Sequence, residues 1–341
     1  MPQPAPGQLH VDTFLTDMAV AWSQQRKNFV ADKIFPVVPV LKESDLYAVY
    51  EMGYQYRDEM KPRPLGGRPV RVGYEITNNR YACVEWAEEH LIDDRVRQNA
   101  DQPLNPDLAA MRLLTNHGMI HREVLWQQSF FTTGVWGVDW YGNTTAAADG
   151  TLGTPNTMLQ FDQSGSDPIG FFEQRRFDVL SKTGYEPNVL VLGPDAFRVI
   201  KNHSTVVDRI KYTQRGIVTE EILAELFDVD RVVVPKGVKE STAEQAPSAT
   251  PATSVNFIAD RYSAMMVYAA DAPSIQEPSG GYTFAYTGLI PGVTNAFGGV
   301  IERGREELAH SDVIQLRASY TQNVVASQVG EFFYQCVSTA A

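Results

Sequence analysis

Cysteine is scarce: Cys83 and Cys336 are the only two in 341 residues. They do not form a close pair of the kind that builds zinc or redox sites, and two thiols cannot staple a disulfide scaffold. Both are expected to be free thiols in strand-like apolar surroundings, in a protein made in a reducing cytoplasm. Long hydrophobic runs are missing too. No stretch approaches the ~18 uninterrupted apolar residues of a membrane span. The opening Met-Pro-Gln-Pro-Ala-Pro-Gly lacks the charged start and apolar run of a signal peptide, so no export signal is expected. Basic charge is in deficit, with 29 Lys and Arg against 41 Asp and Glu and a net charge of -12. Phosphate binding rests on clustered cations, so a nucleic-acid reader is disfavoured. Phosphate-cradling glycine loops of the Gly-x-x-x-x-Gly-Lys and Gly-x-Gly-x-x-Gly types are absent, as is a Gly-x-Ser-x-Gly nucleophile elbow. Gly280-Gly281 and Gly298-Gly299 precede no helix start with a lysine and are expected to be turns.

What is present suits a folded chain. Hydrophobic residues make up 43% and charged residues 21%, near globular averages, so a core can be buried. Residues 1–45 read as an arm: a Pro-rich start, an amphipathic piece from Val11 to about Trp22, then Ile34-Phe35-Pro36-Val37-Val38-Pro39-Val40. Two prolines in that apolar run place it on a sheet edge or extended over another surface. Residues 46–88 predict a long two-stranded hairpin. Leu46, Ala48, Tyr50, Met52, Tyr54 and Tyr56 alternate on one strand, and Val70, Val72, Tyr74 and Ile76 on the return. The tip at 61–69 is rich in Pro and Gly. Ten such residues reach about 33 Å, and a lone ribbon of that length is unstable. Polar residues 89–101 predict a solvated connector. A spine helix is expected over 106–131, ~39 Å long, with Leu108, Met111, Leu114, Ile120, Val124 and Leu125 as its apolar stripe.

Beyond a loop-rich stretch, a second helix is predicted from Asp167 to Lys182, with Asp167 as N-cap, Pro168 in the first turn and Gly184 closing it. From 187 the pattern becomes α/β. Strands are expected at Val189–Leu192, Arg231–Val234, Val255–Ile258 and Ala264–Tyr268. Helices are expected after Gly193-Pro194 and from Thr219 to Phe227. Residues 240–254 read as a flexible loop. The last part, 311–341, returns to strands joined near Ala326.

Candidate chemistry is thin. His117 and His121 share a helix face with Glu123 nearby, but a zincin needs Glu directly after the first histidine, and that position is Gly118. A polar or interfacial helix face is the expected role. Glu88, Glu89, His90, Asp93 and Asp94 are sequence neighbours in the connector, where a solvated face or intersubunit ion pairs are expected. Arg303, Arg305, Glu306, Glu307 and His310 read as surface charges. The hairpin tyrosines lack interleaved cations for base stacking, so packing against protein is expected. No catalytic, cofactor-binding or metal residue is assigned, and the chain is read as a structural protein, not an enzyme.

The order of parts carries a resemblance. Phe29 to Val40, Tyr56-Arg57-Asp58-Glu59, Asn99-Ala100-Asp101-Gln102-Pro103-Leu104, Asn188 to Phe197 and Glu220 to Val229 are similar to stretches of the tailed-phage major capsid proteins. Their shared fold is of the Hong-Kong-ninety-seven type. The resemblance implies an α+β fold with an N-terminal arm (1–45) and an extended β-hairpin loop (46–95). It further implies a peripheral domain (96–187 and 301–341) built on the spine helix, and a central axial α/β domain (188–300). It implies self-assembly into pentamers and hexamers that close an icosahedral shell around double-stranded DNA. An acidic wall suits that role, because it repels phosphate and encloses a genome without gripping it. The implied partners are further copies of the chain, a separate scaffolding protein, a portal protein and, at the surface, a decoration protein, with no membrane. The implied location is the virion, after assembly in the host cytoplasm. An encapsulin-like cargo compartment has the same fold and is the alternative reading, with an α/β enzyme centred on 187–300 further behind. Mechanically, the arm and hairpin are expected to find no resting place within one chain and to clasp neighbouring copies.

Overall fold

A computed structural model describes residues 24–100, 105–211, 218–241, 254–273, 277–289 and 299–338. The start of the expected arm, its amphipathic piece, most of the 240–254 loop and Gly298 lie outside the described residues. The chain enters through a one-turn helix, α1 (Ala31–Ile34), and a short strand, β1 (Val37–Val40). A ribbon follows: β2 (Ser44–Tyr50), the single turn α2 (Met52–Gln55) and the returning β3 (Ile76–Ala82). After Cys83 come β4 (Val84–Asp93), α3 (Asp94–Gln98) and the long α4 (Pro106–Ser129). Then follow β5 (Val138–Asn143), β6 (Asn156–Leu159), α5 (Pro168–Thr183), β7 (Val189–Leu192), α6 (Pro194–Lys201), α7 (Ser204–Ile210), α8 (Glu220–Phe227) and β8 (Arg231–Val233). The chain ends with β9 (Val238–Glu240), β10 (Val255–Phe257), β11 (Ala264–Val267), β12 (Gly281–Tyr286), β13 (Gly299–Glu306), β14 (Ser311–Val324) and β15 (Gly330–Tyr334).

The helix ends follow local chemistry. Asn105 accepts a hydrogen bond from the Leu108 amide and is followed by Pro106, which starts α4. Asp167 and Pro168 open α5 in the same way, and Gly184, in the left-handed region at φ 74°, closes it. The Thr219 side chain caps α8 by accepting from the Ile222 amide.

Two sheets organise the molecule. The six-stranded sheet runs β6-β5-β15-β11-β7-β8 and is covered on both faces. Leu190, Leu192, Ala264, Met266 and Phe333 point to one side, where they meet Phe171 and Phe172 of α5, Ile200 of α6, Val206 of α7 and Leu223 of α8. Val189, Val191, Met265, Val267 and Phe332 point to the other side, against Val30, Ala31, Ile34, Phe35 and the end of α4 at Trp126. Burial on both faces explains why β7 is continuously apolar. In the second sheet, order β1-β12-β14-β13, β4 pairs with β14 along Val84–Asp93. Helix α4 packs across it, with Ala110 and Leu114 against Ile92 and Ile314.

Several expectations are corrected. Residues 24–40 do not reach away from the chain. Phe29, Val30, Ala31, Ile34 and Phe35 are buried, and β1 pairs in parallel with β12 at a sheet edge, where Pro39 costs no ladder bond to a second neighbour. The hairpin's return strand is β3, not 70–76, because Tyr50 pairs with Ile76. The 89–101 connector is largely regular structure: Glu89 and His90 lie in β4, which ends at Asp93, and Asp94–Gln98 form α3. On α4, Leu108 and Met111 are exposed and Glu123 is buried, so the inward stripe is Ala110, Leu114, Glu123 and Trp126. The sheets also cut across the expected 188–300 and 301–341 partition. Strand β15 lies in the sheet of β7 and β11, whereas β12 lies with β14.

Candidate assembly surface

The ribbon of β2 and β3 has two unlike faces. Tyr47 and Tyr81 turn inward and lie beside Phe284 of β12, with ring centroids 5.5 Å and 4.8 Å away, and this cluster roots the ribbon. Leu46, Tyr50 and Ile76 turn outward into solvent. The excursion between Tyr50 and Ile76 continues the exposed face. Met60 is 94% exposed and Leu65 fully so, and Val70, Val72 and Tyr74 are all exposed. One long-range tie fixes this excursion, a hydrogen bond of 2.7 Å from the Tyr56 hydroxyl to the Thr183 carbonyl at the end of α5. Local contacts do the rest: Tyr54 donates to Glu75, Thr77 donates to Glu51, and Tyr50 sits 5.9 Å from Tyr74. Between Arg57 and Arg71 the chain carries Arg57, Lys61, Arg63, Arg68 and Arg71 against Asp58 and Glu59, a basic segment in an acidic chain. A run of exposed apolar side chains of this kind, interleaved with charge, makes the ribbon and its excursion a candidate protein-contact site.

A second surface is a cleft of about 1250 Å³ beside α4, walled by Trp86, Met119, Arg122, Ile301, Leu316 and Tyr320. It holds the histidines singled out by sequence. His117 Nδ1 is 2.9 Å from Glu88, and His121 packs on Trp86 at 4.3 Å, with burial lowering its pKa. Gly118 is explained by proximity: a Cβ there would stand 2.8 Å from Leu316 Cδ2, so glycine lets α4 lie close on β14. Glu123 does not join the histidines. Its Oε2 accepts the amides of Val30 and Ala31 at 2.9 Å each, beneath the strap formed by residues 29–35. Among the described residues, no group of three His, Cys, Asp or Glu could hold a metal ion.

The acidic and basic candidates form structural pairs. Arg303, Asp107, Arg97, Asp312, Arg305 and Asp94 alternate in one chain of ion pairs at 2.6–2.9 Å, tying α3, the start of α4 and the far end of β13–β14 together. Hydrogen bonds from Arg305 and Arg97 hold the Asp312 carboxyl below its usual range, and Arg305 does the same for Asp94. Asp93 caps α3, while Glu85 pairs with Arg317. Glu307 lies 4.0 Å from Arg305, and His310 takes a positive φ of 46° in the β13–β14 turn.

Sequence reasoning passed over a Ser–His contact. Ser166 Oγ lies 3.1 Å from His203 Nε2. It is not a nucleophile pair: His203 Nδ1 accepts from the Thr205 amide, so Nε2 carries the proton, and Ser166 donates to backbone carbonyls. The thiols are quiet. Cys83 falls between β3 and β4, half-buried and pushed up to about 11 by burial, and Cys336 is wholly buried just past β15. No described helix is long and apolar enough to cross a membrane.

This architecture of strap, rooted ribbon, long helix on a long-stranded sheet, and doubly covered second sheet is the α+β capsid fold of the Hong-Kong-ninety-seven type. Solved structures share it. A phage-related protein from Bordetella bronchiseptica superposes with TM-score 0.62 at 20% identity, covering 92% of this chain and 94% of that one. The capsid of cyanophage P-SCSP1u gives 0.56 at 10% identity, covering 97% and 98%. The SrpI encapsulin of Synechococcus elongatus gives 0.53 at 10%, covering 96% and 97%. No protein-family model matches the chain. By sequence, it is 28% identical over 231 residues to the major capsid protein of Burkholderia phage BcepMu, covering 67% of this chain and 69% of that one. It is 26% identical over 233 residues to the major capsid protein of Pseudomonas phage JBD67, covering 66% and 68%. The chain is a homologue of phage major capsid proteins and has their fold.

Proposed function

We propose that the chain is the major capsid protein of a tailed phage, whose copies assemble as pentamers and hexamers into the icosahedral shell around double-stranded DNA. The observation that carries this reading is the outward apolar face of the ribbon and its excursion, from Leu46 through Leu65 to Ile76, which its own chain leaves uncovered. Covering such a side chain stabilises by about 1.5–3 kcal/mol, so several together favour a neighbour's surface over water. The sequence relatives supply the identity of the shell. In this reading the excursion within 46–95 is the extended loop, α4 with the sheet of β4, β12, β13 and β14 the peripheral domain, and the six-stranded sheet with its helices the axial domain. The subunit is a building block without catalysis. It assembles in the host cytoplasm with a scaffolding protein and a portal, and ends in the virion.

A cargo-holding compartment is the second reading, and the encapsulin likeness supports it. Both curated relatives are phage proteins, which favours the phage. The test is to co-express the full chain with the scaffolding protein encoded beside it and to image the particles by electron microscopy. Closed shells of uniform size are expected. Subunits that stay monomeric with and without that protein would sink the proposal. Neighbouring genes for a cargo enzyme, in place of portal and terminase, would turn it toward the compartment.

A further inference from the structure

The strap at residues 29–35 is held to α4 in an unusual way. Glu123 is fully buried, and one of its oxygens accepts two successive backbone amides, those of Val30 and Ala31. Its other oxygen, Oε1, is buried without a hydrogen-bond partner. Among the described residues, no cation is hydrogen-bonded to the carboxylate. The strap faces it with Asp32 and Lys33. On its own helix, Arg122 is bound to Asp32 and lies over Tyr320 of β14. From β8, Arg231 donates to the Ile34 carbonyl. The sheet face beneath the strap is apolar, with Val189, Val191, Met265, Val267 and Phe332.

We propose that Glu123 is a proton-responsive latch between the strap and the spine helix, which closes more firmly when its carboxyl is neutral. A neutral carboxyl keeps a carbonyl oxygen to accept both amides and sheds the cost of a buried charge with one bare oxygen. Burial pushes Glu123 up to about 7, against the amides of Ala31 and Val30, which favour the charged form. The sign follows from that direction. A carboxyl raised above its unfolded value contributes stability that is complete below the unfolded value and is lost as pH climbs through about 7. The strap therefore holds fast in mild acid and loosens as pH rises from about 4.5 to 7. It leads through β1 into the root of the ribbon at Ser44, so it controls the segment from which the outward apolar face springs.

The test is hydrogen exchange of the Phe29–Phe35 amides in the full chain, corrected for intrinsic rates, from pH 5.5 to 8.5. At least about tenfold greater protection is expected at pH 5.5, since each unit of pKa displacement is tenfold in the opening equilibrium. Glu123→Gln keeps an accepting oxygen and cannot titrate, so its strap protection should be flat with pH. Glu331→Gln, at another carboxyl raised by burial, should leave the strap response intact. A flat wild-type profile would overturn the latch without any variant being needed. So would a response that survives in Glu123→Gln or vanishes in Glu331→Gln.

Discussion

Single residues here are shaped by closeness and burial more than by chemistry. Glu331 is buried beside Trp140, whose Nε1 donates to it at 3.0 Å, while Arg175 stacks over the Trp140 ring. Burial pushes Glu331 up to about 7, outweighing the Trp140 hydrogen bond. A carboxyl raised this way favours the folded state at low pH, so stability should fall as pH rises from about 4.5 to 7. The loss amounts to about 3 kcal/mol at most. Thermal unfolding of Glu331→Gln should show a weaker pH dependence than wild type and an equal or higher Tm at pH 8. A steeper dependence would refute the assignment. Gly118 yields a second prediction. An added methyl meets only the mobile end of Leu316, and the strain is offset by alanine's helix preference of about 1 kcal/mol. Gly118→Ala should therefore leave stability within about 0.5 kcal/mol, whereas Gly118→Val should cost about 1–3 kcal/mol by overpacking α4 against β14. Denaturant midpoints separate the two outcomes.

At the scale of elements, the ion-pair chain from Arg303 to Asp94 joins α3, the start of α4 and the far end of β13–β14. Arg97 sits in its middle, bound to Asp107 at 2.8 Å and Asp312 at 2.6 Å. Arg97→Ala should raise the exchange rate of α3 amides, by an amount equivalent to about 1–2 kcal/mol, and the effect should shrink in high salt. An unchanged rate at low salt would mean that the network is ornamental. These elements also show what sequence makes legible. Helices α5 and α8 and strand β7 were readable because Asp167, Pro168, Gly184 and Thr219 act locally, and because a strand covered on both faces must be apolar throughout. The second half of β4 was hidden, since Glu88 and Glu89 resemble a solvated connector until His117 is placed beside Glu88. The strap was misread because its prolines signal an extended edge, which β1 is, but say nothing of the buried Val30, Ile34 and Phe35 just before it. Glu123 looked like a companion of His117 and His121 because helix spacing shows which residues share a turn, not what covers them.

For the whole molecule the premise of two free hooks is halved. Among the described residues, the strap rests on the six-stranded sheet and β1 pairs with β12, while the ribbon excursion stands out, tied back through Tyr56. The ribbon's apolar alternation was legible, and its face of Leu46 and Tyr50 turns outward; the root made by Tyr47 and Tyr81 was not, because it depends on Phe284 far along the chain. A surface kept apolar without serving its own core has to serve another molecule. That yields a separation of stability from assembly. Met60→Ser with Leu65→Ser removes two exposed apolar groups that contribute nothing to the folded subunit, so its Tm should stay unchanged, within about 0.5 kcal/mol of wild-type stability. Closed shells should nevertheless be lost or sharply reduced, because each contact repeats across every copy in the shell and a small deficit per interface multiplies. Replacing 51–75 by a short turn between Tyr50 and Ile76 should go further, leaving a folded, soluble subunit that forms no closed particle. Sedimentation and electron microscopy read both variants. Shells of normal yield from the shortened ribbon would show that assembly runs through other surfaces, such as the cleft beside α4.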